Sequence, residues 1–186
     1  DLSEHNAINM AMAWELATAA LGTITDAQAE AMIGSLARFR GLEHRMEHLG
    51  TREGVTVINN SMCTNPRAVV SSLASRRERL HVLMGGMTKN LDFSPVAEFL
   101  ERTAHRLYLI GRPEDDLVKQ LGGLGNRFDS LEEAFDAAVA AAVSGEAIVF
   151  APGCASAYPY SNFRERGEAF RAIAGAWLGQ AKSSSF

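Results

Sequence analysis

The chain has 186 residues with 18 Lys+Arg against 22 Asp+Glu, a formal charge of −4, and so offers no electrostatic reason to expect nucleic acid or anionic membrane as a partner. At 47% hydrophobic and 22% charged residues the composition excludes wholesale disorder, and the length suffices for one core without disulfide or metal staples. The two cysteines, Cys63 and Cys154, exclude a disulfide framework. With no Cys/His pair at zinc spacing, they read as small buried residues, and no metal ligands are predicted. No stretch approaches the ~18 apolar residues of a membrane span, and no basic-then-apolar leader is visible, so a cytoplasmic setting is expected. The chain opens at Asp1 without Met and runs straight into helix-like sequence. It therefore reads as part of something longer.

Ile8, Met12 and Leu16 recur at helical spacing, which predicts a helix over 3–21 stopped by Gly22. Thr25 with Gln28 forms a capping box for a second helix through Met32, Leu36 and Phe39 to about Arg40. The short loop between the two implies an antiparallel hairpin. Beyond Gly41 the character changes. Two short strands, 45–49 and 55–58, flank a polar turn over 50–54. A loop over 59–65 then leads to a helix with Pro66 in its first turn. Strands at 80–84, 107–110, 126–128 and 147–151 alternate with helices at 94–102, 114–121 and 131–143, the last capped by Ser130 and Glu133. The apolar run 137–143 is expected to be its buried face. An amphipathic helix over about 162–180 follows, and residues 182–186 read as a frayed end. Solidly apolar strands separated by helices imply a parallel sheet covered on both faces. The chain thus divides near Arg40 into a helical tail and an α/β domain.

Ligands of open parallel sheets bind beyond the carboxyl ends of the strands, at a topological switch point. The residues following three predicted strands form a polar, glycine-rich set: 59–65, then Gly85-Gly86-Met87-Thr88-Lys89-Asn90, then Pro152-Gly153-Cys154-Ala155-Ser156. Each also has a plainer role. The diglycine can turn the chain out of a strand, and Asn60 and Thr64 can serve turns and caps. The scattered His44, His48, His81 and His105 read as packing or surface residues, and Arg164, Glu165 and Arg166 as solvated helix charges. Neither a G-x-G-x-x-G fingerprint nor a G-x-x-x-x-G-K-[ST] phosphate loop occurs. From the residues alone the function stays open.

Several segments lie in order: His5-Asn6-Ala7-Ile8-Asn9; Phe39-Arg40-Gly41-Leu42-Glu43-His44-Arg45-Met46-Glu47; Val57-Ile58-Asn59-Asn60-Ser61-Met62-Cys63-Thr64-Asn65; and Gly85-Gly86 with Lys89. Ala151-Pro152-Gly153-Cys154-Ala155-Ser156 and Asn162-Phe163-Arg164-Glu165-Arg166-Gly167 complete the set. Together they resemble the carboxyl-terminal portion of the Mur ligases, most of all the branch adding D-glutamate to UDP-N-acetylmuramoyl-L-alanine. The resemblance implies a Rossmann-like, mostly parallel sheet with helices on both faces, preceded by a helical hairpin from the end of a P-loop ATPase domain. It assigns residues 1–40 to the tail of that ATP-binding domain and 41–186 to the amino-acid-binding domain. It implies an ATP-dependent carboxylate–amine ligase of peptidoglycan precursor synthesis, working through an acyl phosphate. No catalytic residue is assigned to this chain. ATP and Mg2+ are the implied cofactors, the magnesium ligands lying mainly on an N-terminal part.

By the same resemblance Asn6, Asn9, Arg45 and Asn60 serve ATP: adenine, adenine, phosphates and ribose in turn. Thr64, Lys89, Ser156 and Phe163 match positions that hold the incoming amino acid. The implied partners are small molecules (an amino acid and an acyl acceptor such as a UDP-sugar) and the amino-terminal and central ligase domains, in the same or a partner chain. The family pattern Asp-Ser-Lys-Ala-Thr-Asn is here Asn60-Ser61-Met62-Cys63-Thr64-Asn65. Asn60 keeps an amide for a ribose hydroxyl, whereas Met62 removes a positive charge beside the amino-acid pocket, which suits a less acidic amine. Tyr158, Pro159 and Tyr160 make the last loop bulkier than the family's usual version. The alternative is a non-catalytic Rossmann-like module that binds a nucleotide or a partner.

Overall fold

Short polar side chains start the helices, because the first N–H groups of any helix lack partners within it. Thr25 accepts from the Gln28 amide while the Gln28 side chain returns to Thr25, closing the capping box. The side chains of Asn65, Ser130 and Asn162 accept from first-turn amides of three later helices. The computed structural model describes residues 4–39, 41–88, 90–112, 114–157 and 159–179, with side chains from residue 7 onward. Residues 182–186 and Tyr158 fall outside the described residues. The chain forms two compact units, Asp1–Gly41 and Leu42–Phe186.

The first unit is a hairpin of α1 (Glu4–Leu21) and α2 (Asp26–Arg38). Gly22, at φ +71°, supplies the left-handed residue that ends α1. Trp14, Ala17, Met32 and Leu36 line a cleft between the helices, yet α2 has no buried residue. Ile8, Met12 and Leu16 are 52%, 58% and 68% exposed, an apolar stripe one turn apart.

The second unit is a six-stranded sheet in the order β1-β2-β6-β3-β4-β5. Its strands are β1 (Glu47–Arg52), β2 (Val55–Asn59), β3 (Leu80–Gly85), β4 (Arg106–Ile110), β5 (Gly125–Phe128) and β6 (Ala147–Phe150). Only β1 is antiparallel; β2 to β6 run parallel. The helices α3 (Pro66–Leu73), α4 (Ser94–Glu101) and α5 (Asp116–Leu121) pack on one face around Val82, Met84, Leu109 and Val149. On the other face α6 (Leu131–Ala141) and α7 (Phe163–Leu178) cover Val57, Leu83, Ile148 and Phe150. The fold is α/β and Rossmann-like. Among the described residues no helix is long and apolar enough to cross a membrane.

Three local expectations need correction. The turn expected over 50–54 is shorter: β1 continues to Arg52 across a bulge between His48 and Gly50. Only Glu53 and Gly54, both at positive φ, make the two-residue turn that matches strand twist. The helix expected from residue 114 begins at Asp116. The buried face of α6 is Leu131, Ala134, Phe135 and Ala138 rather than the alanine run, and Val143 is exposed.

At the amino edge of the sheet His81 is fully buried and bonded through both ring nitrogens, to Tyr108 Oη and to Glu146 Oε2 at 2.8 Å each. Glu146 also accepts from the Val143 amide at 3.1 Å. The His81 hydrogen bond is the main reason its carboxyl titrates below the ordinary value of 4.5. A carboxyl depressed on folding stabilises the native state above its unfolded pKa and ceases to do so as pH falls through the folded value. Glu146→Gln is therefore expected to lower stability at pH 7, by a margin that closes as acid takes the protein below pH 4.5. Urea unfolding across that range checks it; a margin independent of pH would count against the assignment.

Candidate functional site

Strands β2 and β3 are consecutive in the parallel part of the chain, but they are not neighbours. The chain returns from β5 to lay β6 between them. Their carboxyl ends therefore point the same way side by side, and the loops after them meet at a switch point. Backbone bonds fasten these loops together: Asn60 N to Phe150 O at 2.8 Å, Gly85 N to Pro152 O at 3.1 Å and Gly153 N to Cys63 O at 3.0 Å. Met87 and Ala155 exchange both N–H···O bonds at 3.0 Å. Gly86, at φ +131°, allows the close approach, since a Cβ there would lie 2.7 Å from Ala155 O and 3.0 Å from Arg166 Nη1.

Arg166 on α7 is only 2% exposed, not solvated as its sequence neighbours suggested; Arg164 and Glu165 are exposed as expected. Its guanidinium donates from Nε to Ser61 Oγ (3.1 Å), from Nη2 to Ser61 O (2.8 Å) and from Nη1 to Cys154 O (2.9 Å). It also lies 6.0 Å from the centroid of the Phe150 ring. Every one of these partners is neutral. Burial pushes its pKa down to about 10, which leaves it charged at neutral pH. A positive centre thus stands beneath the junction of the loops from β2, β6 and β3.

A second construction precedes β1. His44 and Met46 adopt left-handed backbone, φ +62° and +47°, on either side of Arg45, a conformation costing about 1–2 kcal/mol per residue. Hydrogen bonds act on this turn from several sides. Arg45 N donates to Leu42 O (3.2 Å), Met62 N to His44 O (3.0 Å), Met46 N to Asn60 Oδ1 (3.2 Å) and His44 N to Glu47 Oε2 (2.9 Å). Asn59 Nδ2, 3.0 Å from His44 Nδ1, makes that nitrogen an acceptor and leaves the ring proton on Nε2, 3.4 Å from Glu168 Oε1. The His44 ring lies against Gly167, where any Cβ would overlap it. Arg171 joins Glu47 at 2.6 Å and Glu168 at 2.8 Å, tying the turn to α7.

This sheet order, with its switch-point loops and the turn ahead of β1, coincides with a known domain. Residues 44–154 match the model of the Mur ligase glutamate ligase domain. The chain belongs to the Mur ligase family. This Mur ligase domain is 32% identical over 174 residues to the UDP-N-acetylmuramoylalanine–D-glutamate ligase of Chlamydia caviae, covering 92% of this chain and 40% of that protein. The corresponding ligase of Chromohalobacter salexigens is 38% identical over 162 residues, covering 84% and 36%. The chain thus spans about two fifths of the length of these relatives. Among solved structures, UDP-N-acetylmuramate–alanine ligase of Thermotoga maritima superposes at TM-score 0.62, 14% identity, covering 95% of this chain and 39% of that one. E. coli FolC in complex with DHPP and ADP also gives 0.62, at 20% identity, covering 91% and 39%. At such identities the structures establish the fold.

Within the Mur ligase domain Thr64 is exposed in the loop after β2, and Ser156 is 9% exposed in the loop after β6. Phe163 opens α7, half-buried, with its ring edge toward His44 and its carbonyl accepting from Ser61 Oγ at 2.8 Å. The loops that carry Thr64 and Ser156 are joined through Gly153 N and Cys63 O, and Phe163 on α7 is joined to the first of them through Ser61. Lys89 lies outside the described residues; before it, Thr88 Oγ1 donates to Asp116 Oδ2 at 3.3 Å. Arg45 is half-buried on its turn, and Asn60 is 4% exposed with both amide atoms bonded inside the protein. Asn6 and Asn9 belong to α1 of the other unit; Asn9 is exposed, and the Asn6 side chain lies outside the described residues. Among the described residues no cluster of three or more His, Cys, Asp or Glu is arranged to hold a metal ion. The sequence reading missed Arg166, although Arg166, Phe170 and Ala174 recur at helical spacing on the buried face of α7.

Cys63 and Cys154 are buried, and burial pushes their pKa values up to about 11 and about 12. Both are thiols at neutral pH and poor nucleophiles. Neither is expected to react with iodoacetamide in the native protein at pH 7.5, and both should react after urea unfolding; mass spectrometry of the alkylated chain is the check. Arg166→Leu leaves three buried acceptors without their donor and is expected to destabilise the domain by about 3 kcal/mol, read from urea unfolding.

Proposed function

We propose that this chain is the carboxyl-terminal portion of an ATP-dependent carboxylate–amine ligase acting in the cytoplasm. On this reading it adds D-glutamate, or another amino acid, to an acyl acceptor such as a UDP-sugar in peptidoglycan precursor synthesis. The names of its relatives support the class. The observation that carries the proposal is Arg166, a buried cation with only neutral partners under three convergent loops. A buried charge without a counter-charge is costly, and a carboxylate held above it relieves that cost. The free carboxylate of an incoming amino acid is such a group.

In this reading Thr64, Lys89, Ser156 and Phe163 orient the amino acid so that its amine faces the activated carboxyl group. The gain is one of proximity and alignment. ATP supplies the phosphoryl group that makes the acyl carbon electrophilic. Arg45 meets its phosphates through a planar fork of donors, and Asn6 and Asn9 meet the adenine. Residues 1–40 belong to the ATP-binding domain, and 41–186 form the amino-acid-binding domain. The apolar stripe of Ile8, Met12 and Leu16 favours this division, because such a surface on a two-helix hairpin suits packing within a larger domain. On this reading the magnesium ligands lie mainly on an N-terminal part, and no step here runs through a metal.

In the full-length ligase, Lys89→Ala is expected to raise KM for the amino acid at least tenfold and to slow amide formation. Unchanged kinetics remove Lys89 from the site. Arg166→Met should weaken an amino acid relative to its carboxamide analogue; equal losses for both would mark Arg166 as structural only. The 186-residue chain alone, having no phosphate loop in its sequence, is expected to release no ADP from ATP. Magnesium-dependent release from it would refute the division of labour.

A further inference from the structure

The Asn60 side chain is committed inside the protein. It is 4% exposed, its Oδ1 accepts from Met46 N at 3.2 Å, and its Nδ2 donates to Ser72 Oγ at 3.1 Å. Ser72 in turn donates to Val69 O at 2.9 Å, so a relay runs from the turn around Arg45 into α3. The Asn60 amide N–H completes the anchorage by bonding Phe150 O across to β6. Met46 is where the turn most needs holding, since it follows Arg45 in left-handed backbone that an unconstrained methionine rarely adopts. Its N–H finds its acceptor in Asn60 Oδ1, and its side chain packs against the core on the same face of the sheet as α3.

We propose that Asn60 is a positioning residue: it sets the turn that presents Arg45, rather than touching nucleotide itself. The catalytic part of this proposal rests on the reading of Arg45 as a phosphate ligand; the structural part does not. Consecutive strand residues point to opposite faces, and Asn59 holds the His44 side of the same turn from the α7 face. Asn59 and Asn60 together grip one short turn from both sides of the sheet.

Hydrogen exchange of the 186-residue chain tests the structural part. Asn60→Leu should speed exchange of the Met46 amide at least tenfold while leaving the Leu83 amide in β3 protected. Asn60→Asp keeps an acceptor for Met46 N–H and should preserve protection. Should Asn60→Leu fail to fold, Ser72→Ala, which removes the support of the Asn60 amide together with the local bond to Val69 O, should speed Met46 exchange at least threefold. Met46 exchange unchanged in these variants overturns the proposal.

Kinetics of the full-length ligase test the catalytic part. Asn60→Leu and Arg45→Ala should slow turnover to similar extents, and the double variant should be no slower than Arg45→Ala. The preference for ATP over 2′-deoxy-ATP should stay at the parent value in Asn60→Leu. Additive losses, with that preference abolished, would make Asn60 a ribose ligand and overturn positioning. If Arg45→Ala turns over normally, the nucleotide reading of Arg45 fails instead, and Met46 exchange still reports whether Asn60 holds the turn.

Discussion

The second unit depends on a guanidinium held where water cannot reach it. Arg166 extends from the first turns of α7 beneath the carboxyl edge of the sheet and binds the loop after β2 to the loop after β6. The third loop, after β3, is pressed onto the same group through Gly86. Replacing a full complement of water around a guanidinium by three neutral acceptors and an aromatic face leaves a net positive potential. That potential is a property of the folded edge as a whole. Water admitted by moving any one of the three loops off the arginine would screen it.

Beside this fixed edge stands a turn of the opposite character. The segment ahead of β1 holds two non-glycine residues in left-handed backbone around Arg45. A free chain would relax it. Here the His44 ring is walled in by Gly167, Asn59 and the Glu47–Arg171–Glu168 network, so α7 supports both the turn and the loop junction. Local strain persists only where the surroundings over-determine it, and α7 does so from one face of the sheet. One helix thus couples the position of Arg45 to that of the loops carrying Thr64 and Ser156.

Much of this was legible in the residues. Apolar strands alternating with capped helices predict a parallel sheet covered on both faces, and Thr25, Pro66 and Ser130 mark helix starts that the structure keeps. The three loops were visible as polar, glycine-rich sequence after strands. Their convergence follows from the order β2-β6-β3, which pairs Val57 with Ile148 and Leu80 with Ala147, far apart in the chain, and leaves no local mark. The turn over 50–54 was overestimated because Gly50 reads as a breaker, whereas in the sheet it is absorbed by a bulge. Arg166 was misread for a similar reason. A charged residue between Glu165 and Gly167 looks solvated until the face shared with Phe170 is counted.

Asn59 and Asn60 show how such a site can be built from little sequence. They are adjacent and chemically identical; Asn59 ends β2 and Asn60 follows it, its N–H still bonded to β6, so the extended backbone sends one to each face. Asn59 meets α7 through Gly167 O and the turn through His44; Asn60 meets α3 through Ser72 and the turn through Met46. Neither could take the other's part, because each amide is placed by the helix on its own side. A carboxamide suits both tasks, since one end donates while the other accepts, whereas a carboxylate at position 59 could not donate to Gly167 O or to His44 Nδ1. The requirement for two helices, one on each face, is therefore as much a requirement of the Arg45 turn as of the hydrophobic core.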